Sequence, residues 1–293
     1  MRYTQKQLSV DQQLDYLESL GLTIENRETA RHTLTHISMS RLKGYMLPFR
    51  MKNSKHFKEG ITFNNVYNLY IFDSKLRKLL LSQLEKIEVS LRTQMSYVMS
   101  DLAGMFWYTN PSVFSSYEKH TKILRTISNE LERSDDTLIL NFRKKYEDPF
   151  PPSLIALEVC SFGTVSLLYD LTKAPHAKRR LAEIYGISDK VFESWMHTLV
   201  NLRNICAHHA RLWDRRLKII PAFPKKTAGP FIPQPSDTGK MWTIMSIIVF
   251  LLRTINPEAS FIKQFRALLK EYPEADVADM GFPANWENEP LWL

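Results

Sequence analysis

The stretch FESWMHTLVNLRNICAHHARLWDRR, residues 192–216, decides the fold. Successive residues on a helix stand about 100° apart around its axis. At that spacing Trp195, Leu199, Leu202, Cys206 and Trp213 share one side, with Phe192 beside them, and form an apolar stripe suited to a core. The opposite side carries His197, Asn201, Asn204, His208, Arg211 and Arg215, with Arg203 on its flank. The pattern predicts one long helix over 192–216 whose outer face is rich in hydrogen-bond donors and holds titratable imidazoles. Trp195 and Trp213 belong to the core, and His209 is expected toward the core side.

Working outward, the same periodicity recurs. Ser9 to Gly21 has Leu14, Leu17 and Leu20 on one face, with Ser9 or Asp11 as N-cap and Gly21 at the stop. Glu25 to Ile37 is a second short helix. Phe63 to Ser100 carries the stripe Leu76, Leu80, Leu84, Ile87, Leu91 and Met95, with a break expected near Asp73 as the cap of a second helix. Tyr117 to Arg133, Thr137 to Tyr146, an apolar Ser153 to Leu171 and Ala177 to Tyr185 continue the series, the last closed by Gly186. Residues 221–235, PAFPKKTAGPFIPQP, hold five prolines and exclude both a helix and a central strand. Gly239 to Ile255 and Pro257 to Tyr272 are the final helices. The tail MGFPANWENEPLWL, with two Trp and a Phe, is expected to be pinned to the body. No β-alternation or repeat interrupts the series, so the class is all-α.

Composition narrows the chemistry. Hydrophobic residues make up 44% and charged residues 24% of 293, enough for a large core, while nine glycines are too few for a fold of many tight turns and phosphate loops. The net charge of +8 favours an anionic partner such as nucleic acid. Two cysteines, Cys160 and Cys206, sit far apart in apolar patterns and read as reduced core residues. The polar N-terminal stretch MRYTQKQLSVDQQLDYL has no apolar signal region, and the run Ile244 to Leu252 is about half of what a membrane span needs. A cytoplasmic protein without a membrane partner is expected.

Two segments suit an RNA surface. Residues 41–60, RLKGYMLPFRMKNSKHFKEG, set Arg41, Lys43, Arg50, Lys52, Lys55 and Lys58 among Tyr45, Phe49 and Phe57. Phosphates would take the charge and bases would stack on the rings. An exposed basic loop whose aromatics fold back onto the core fits equally well. On the opening stretch, Arg211 and Arg215 extend the polar stripe as RNA or dimer contacts. Glu88 and Arg92, four apart, either pair on the surface for a few tenths of a kcal/mol or brace a site on a neighbouring helix; the residues by themselves favour the surface pair.

The opening stretch contains no Gly-rich phosphate loop, HExxH, GxSxG or CxxC. His208 and His209 are adjacent and do not form a helical metal pair, and carboxylates are scarce, so no metal or other cofactor is expected. What remains is Arg203-Asn204-Ile205-Cys206-Ala207-His208. Imidazole can move a proton to or from a ribose 2′-OH or a leaving 5′-oxygen near neutral pH. Guanidinium can hold the scissile phosphate and stabilise the charge that builds up on it. Asn204, one turn before His208, can orient the ring or bind phosphate. Acid and base roles call for two imidazoles, which a two-fold homodimer apposing two such helices would supply.

Arg203…His208 fits the R-x4-6-H motif of HEPN ribonucleases, with a polar Asn after the Arg. NLRNICAHHARLWDRRL, RLKGYMLPFR, YNLYIFDSKLRKLLLSQLEKIEVSLRTQM and GFPANWENEPLW resemble the abortive-infection (Abi-like, Abi_2-type) proteins of that superfamily. R-x4-H alone is common by accident; four segments in one order, from about residue 36 to the C-terminus, are specific. The resemblance implies an all-α HEPN-type helical bundle with additional N- and C-terminal helices, dimeric, cleaving RNA without a metal to a 2′,3′-cyclic phosphate and a 5′-OH. It implies a role in phage defence or toxin-like growth arrest, with Arg203 and His208 catalytic and Asn204 assisting. Glu88 and Arg92 match polar positions of the family's EKIEVSLR-type helix, which raises the bracing reading. One domain over 1–293 is expected: a helical and basic segment to 60, a core bundle to 220, a Pro-rich loop to 240 and C-terminal helices beyond. The partners expected are RNA, a second copy, and an antitoxin protein or regulatory RNA that holds the activity in check. From a different class, a non-catalytic RNA-binding scaffold would use the same basic surfaces.

Overall fold

The computed structural model describes residues 7–293; the first six residues of the polar N-terminal stretch lie outside them. Among the described residues the secondary structure is helical, with isolated β-bridges and no sheet. The chain divides into two compact units, Met1–Arg77 with Gln264–Asp276, and Lys78–Lys263 with Val277–Leu293.

The first unit holds α1 (Val10–Ser19), α2 (Arg27–His36), α3 (Met39–Met46) and the start of α4 (Phe63–Ala103). Ser9 and Gln12 form a reciprocal capping box that starts α1. Gly21, at φ +88°, ends it, with its N–H donating to Glu18 O (2.9 Å) and the Leu22 N–H to Leu17 O (3.1 Å). That bond pair needs a left-handed residue, which glycine adopts without a Cβ clash. α2 is held to α1 by Arg27 on Asp15 and Glu18, and by Arg31 on Asp11.

The expected break at Asp73 does not occur: α4 runs unbroken for 41 residues. Asp73 caps nothing. It is fully buried, accepts from the Tyr45 hydroxyl (2.6 Å), and pairs with Arg77 one turn on. A carboxylate inside a helix survives there because both partners are donors. Burial, and next the Asp73 charge, push the Tyr45 hydroxyl well above the usual tyrosine range. The basic segment also resolves. Tyr45 and Phe57 are buried, and the Arg50 guanidinium lies over the Phe57 ring at 5.4 Å. These two rings therefore serve the core and are not stacking platforms, while Arg41, Lys43 and Lys52 are exposed and Arg50 is half-buried.

The second unit continues α4 and adds α5 (Tyr117–Arg133), α6 (Thr137–Lys145), α7 (Ser153–Ala156), α8 (Phe162–Leu171), α9 (Pro175–Ile184), α10 (Asp189–Ala207) and α11 (Met241–Ile255). α12 (Phe261–Glu271) begins here and belongs mostly to the first unit. It starts four residues later than Pro257 had indicated. The single helix expected over 153–171 is two, because Ser161 accepts from the Thr164 N–H (3.1 Å) and starts α8 afresh. α8 packs against both α5 and α10, and α10 also meets α9 and α11. α11 is buried from Met241 through Leu252, which accounts for its unbroken apolar run.

Two irregular segments are fastened to this core. Trp195 Nε1 donates to Ala222 O (2.9 Å), and its ring stacks on Phe231 at 5.5 Å, so the Pro-rich segment lies on α10. The tail is pinned as the sequence predicts. Trp292 is fully buried, stacks on Trp242 at 5.3 Å, and donates from Nε1 to Ser246 Oγ (3.0 Å). No helix of the described residues is long and apolar enough to cross a membrane.

Candidate functional site

α10 brings the candidate residues forward. Ser188 caps it, with its side chain accepting from the Val191 N–H. Phe192, Trp195, Leu199, Leu202 and Cys206 are buried along its inner side as the stripe requires. The helix does not reach residue 216. It stops at Ala207, His208 is its C-cap, and His209 sits in the left-handed region at φ +54°. The His209 N–H donates to Cys206 O (3.1 Å) and the Ala210 N–H to Ile205 O (3.0 Å). This is the same pair of hydrogen bonds that closes α1, here with a histidine where glycine is usual. His209 is exposed, not turned toward the core.

The early stop divides the expected polar stripe. Arg203 is half-buried and Asn204 exposed on the last turns of the helix, with Arg203 Nη1 3.4 Å from Asn204 Oδ1. His208 is exposed at the helix end, its N–H donating to Asn204 O (2.9 Å). Arg211 and Arg215 lie beyond the helix, both half-buried, with Arg215 Nη1 donating to Arg211 O (3.1 Å). Leu212 and Trp213 between them are buried and anchor this turn, and Asp214 is held by Lys240 (2.8 Å).

Glu88 and Arg92 are not a surface pair. Glu88 is buried, and Arg92 Nη2 stands 2.5 Å from Glu88 Oε1 and 2.7 Å from Cys160 O. Burial pushes the Glu88 carboxyl above the usual carboxylate range; the charges of Arg92 and Arg203, and the Phe162 N–H at the start of α8, pull against that. Glu88 therefore lies within the electrostatic reach of Arg203 as well as of Arg92.

One neighbour escapes the sequence. Glu130 of α5 accepts from the Ser161 N–H (3.4 Å) through Oε1 and acts on the Cys160 thiol, whose ionisation burial already disfavours strongly. Glu130 is one of several acidic residues in an amphipathic helix, and nothing in its spacing sets it apart. Arg41, Lys43, Arg50 and Lys52 belong to the first unit. Among the described residues no three His, Cys, Asp or Glu side chains gather closely enough to hold a metal ion.

The fold and this site define an all-helical protein with an Arg-Asn pair and a histidine at the end of a core helix. Residues 32–214 match the family model described as Abi-like protein, and the chain belongs to that family. Neither a curated protein nor a solved structure matches the chain. Membership of this family is consistent with a role in defence.

Proposed function

We propose that the chain is a metal-independent endoribonuclease of the HEPN type, acting in abortive infection or as a toxin in the cytoplasm. The observation that carries this reading is the exposure of Asn204 and His208 beside Arg203 at the end of α10, with the buried Glu88 of α4 within electrostatic reach of Arg203 and paired with the half-buried Arg92. Arg203 holds the scissile phosphate. His208 takes the proton of the ribose 2′-OH as the 2′-oxygen bonds to phosphorus. The bond from phosphorus to the 5′-oxygen breaks, leaving a 2′,3′-cyclic phosphate, and the leaving oxygen takes a proton to become a 5′-OH. Asn204 orients the imidazole or the phosphate, and Glu88 with Arg92 set the position of Arg203. The second proton-transfer group comes from His208 of a second copy. Arg211, Arg215 and the basic residues Arg41, Lys43, Arg50 and Lys52 contact RNA, and an antitoxin protein or regulatory RNA restrains the activity.

The test is cleavage of RNA by purified protein in excess EDTA. Wild-type protein cuts, and Arg203→Ala or His208→Ala abolishes cutting without loss of helical circular dichroism. Cutting that requires magnesium, or that survives both substitutions, refutes the reading. A non-catalytic RNA-binding scaffold has one observation of its own, the exposure of Arg41, Lys43 and Lys52. It predicts binding that falls steeply with salt and is unchanged by the same two substitutions.

A further inference from the structure

A pocket in the first unit joins cations to apolar surface. Residues 29–58 hold seven Arg and Lys and no Asp or Glu. Within them, residues 50–57 fold back as a short hairpin. The Met51 N–H donates to His56 O (3.0 Å), and the Lys58 N–H to Phe49 O (2.9 Å). The tip is a tight turn closed by the Ser54 N–H on Met51 O (3.1 Å), with Asn53 at φ +58° in its third place, where Asn and Gly are favoured. The Phe57 N–H donates to Leu20 O (2.9 Å) and ties the hairpin to the end of α1. The loop so held surrounds a pocket of about 430 Å³.

Arg50, Lys52 and Lys55 line this pocket, and no carboxylate does. Among the described residues the Arg50 guanidinium meets the Met46 sulfur at 3.9 Å and the Phe57 ring at 5.4 Å, and its Nε is buried with no acceptor. The planar fork is thus packed in place, and an incoming anion displaces no carboxylate from it. Three like charges around one pocket repel each other, and a dianion relieves that repulsion more than a single charge does. A phosphate monoester carries about 1.5 to 2 negative charges at neutral pH, more than the single charge of a phosphodiester. The rest of the lining suits a base. Leu47 is 56% and Met51 48% exposed, both on the pocket wall, and a methionine side chain packs well against an aromatic ring. Asn53 and Ser54 add donors and acceptors.

We infer that this pocket binds a nucleoside monophosphate, free or as the phosphorylated end of an RNA strand. The phosphate lies on Arg50, Lys52 and Lys55, and the base lies against Leu47 and Met51. The size fits, since pockets for small ligands begin at about 300 Å³. The inference deepens the assignment of Arg50 and Lys52 to RNA and rests on that reading only for the strand as a source. It makes residues 47–55 a site for a strand end, where an even basic surface would take any stretch of backbone.

Isothermal titration calorimetry on the full chain tests it. AMP should bind with a Kd below about 1 mM, and about tenfold tighter than either adenosine or inorganic phosphate, each of which keeps only part of the contacts. Lys52→Gln combined with Lys55→Gln, at two exposed positions, should weaken AMP about tenfold and leave the melting temperature unchanged. Arg50→Lys keeps the charge, loses the fork and should weaken AMP likewise. Leu47→Ser should weaken AMP and leave inorganic phosphate unaffected. A 2′-O-methyl RNA strand, which has no 2′-OH to react, is titrated with and without a 5′-phosphate to identify the source. A phosphorylated strand that outbinds both AMP and its unphosphorylated twin about tenfold makes the ligand a strand end. Equal affinity for AMP and the phosphorylated strand makes it the free nucleotide. AMP that binds no tighter than adenosine or phosphate, or that is indifferent to the lysine pair and to Arg50→Lys, overturns the inference. Binding of AMP by a protein that does not cut RNA sinks the nuclease reading and leaves this pocket standing. Cutting by a protein that ignores AMP and phosphorylated ends does the reverse.

Discussion

One guanidinium nitrogen of Arg92 contacts both Glu88, 2.5 Å away on its own helix, and the carbonyl of Cys160 at 2.7 Å, just before α8 begins. Arg92→Ala therefore removes a countercharge from a buried carboxylate and a donor from a carbonyl at once. The expected loss is about 2–3 kcal/mol, close to a hydrogen bond to a charged group plus part of a buried pair. In urea melts the double variant with Glu88→Gln should recover part of that loss, since the uncompensated charge is gone. A loss of Arg92→Ala stability within error of zero would place the pair on the surface energetically.

Glu88 also carries a pH signature. Its native pKa is raised by burial, so the folded protein binds a proton before the unfolded chain does as pH falls. The raised value means Glu88 costs stability above its native pKa, and this cost is relieved as pH falls through that pKa toward the ordinary carboxylate value. Wild type should thus gain stability relative to Glu88→Gln on acidification within that window. Parallel stability curves for the two proteins between pH 7 and 4 would contradict the assignment.

At the proposed reaction centre, His208→Ala should lower the proposed RNA cleavage about 10²–10⁴-fold in single turnover, the ordinary worth of a proton-transfer group. Arg203→Lys keeps the charge and loses the planar fork, so it should retain only a small part of the activity. Asn204→Ala should fall between wild type and His208→Ala. All three should melt near wild type, since Asn204 and His208 are exposed and Arg203 half-buried.

Asp73→Ala should be far more damaging to folding than any of these. It takes a buried carboxylate away from the Tyr45 hydroxyl and from Arg77, at an expected cost of about 3–5 kcal/mol. Tyr45→Phe removes a single bond and should cost about 1 kcal/mol. Thermal or urea unfolding followed by circular dichroism gives both numbers.

Trp292 offers a test of the tail. It is fully buried against Trp242 and bonded to Ser246. Trp292→Ala should destabilise by about 3–5 kcal/mol, whereas Leu293→Ala, at a residue 78% exposed, should leave the melt unchanged.

Much of the helical pattern was legible because its punctuation is chemical. The same double hydrogen bond ends α1 at Gly21, α9 at Gly186 and α10 at His209. The first two stops can be read, since glycine announces a left-handed residue. The third cannot, since a histidine, unlike a glycine, does not by itself announce a left-handed residue. Asp73 misled for a related reason: an aspartate inside an apolar stripe resembles a cap, and only its buried partners, Tyr45 of α3 and Arg77 one turn on, explain it. The Arg203, Asn204 and His208 set stood out on the polar side of a core helix. The burial of Glu88 did not, because an i,i+4 pair has one spacing whether it faces water or the core.

Non-glycine residues with positive φ are uncommon, and histidine, asparagine and aspartate are several-fold enriched among them. His209 holds φ +54° immediately after the proposed proton-transfer group, which makes position 209 a filter on sequence. Glycine and asparagine, which tolerate the left-handed region, should keep the turn. Valine, isoleucine and threonine, whose branched side chains crowd the left-handed backbone, should be rejected, and with them the turn that delivers His208.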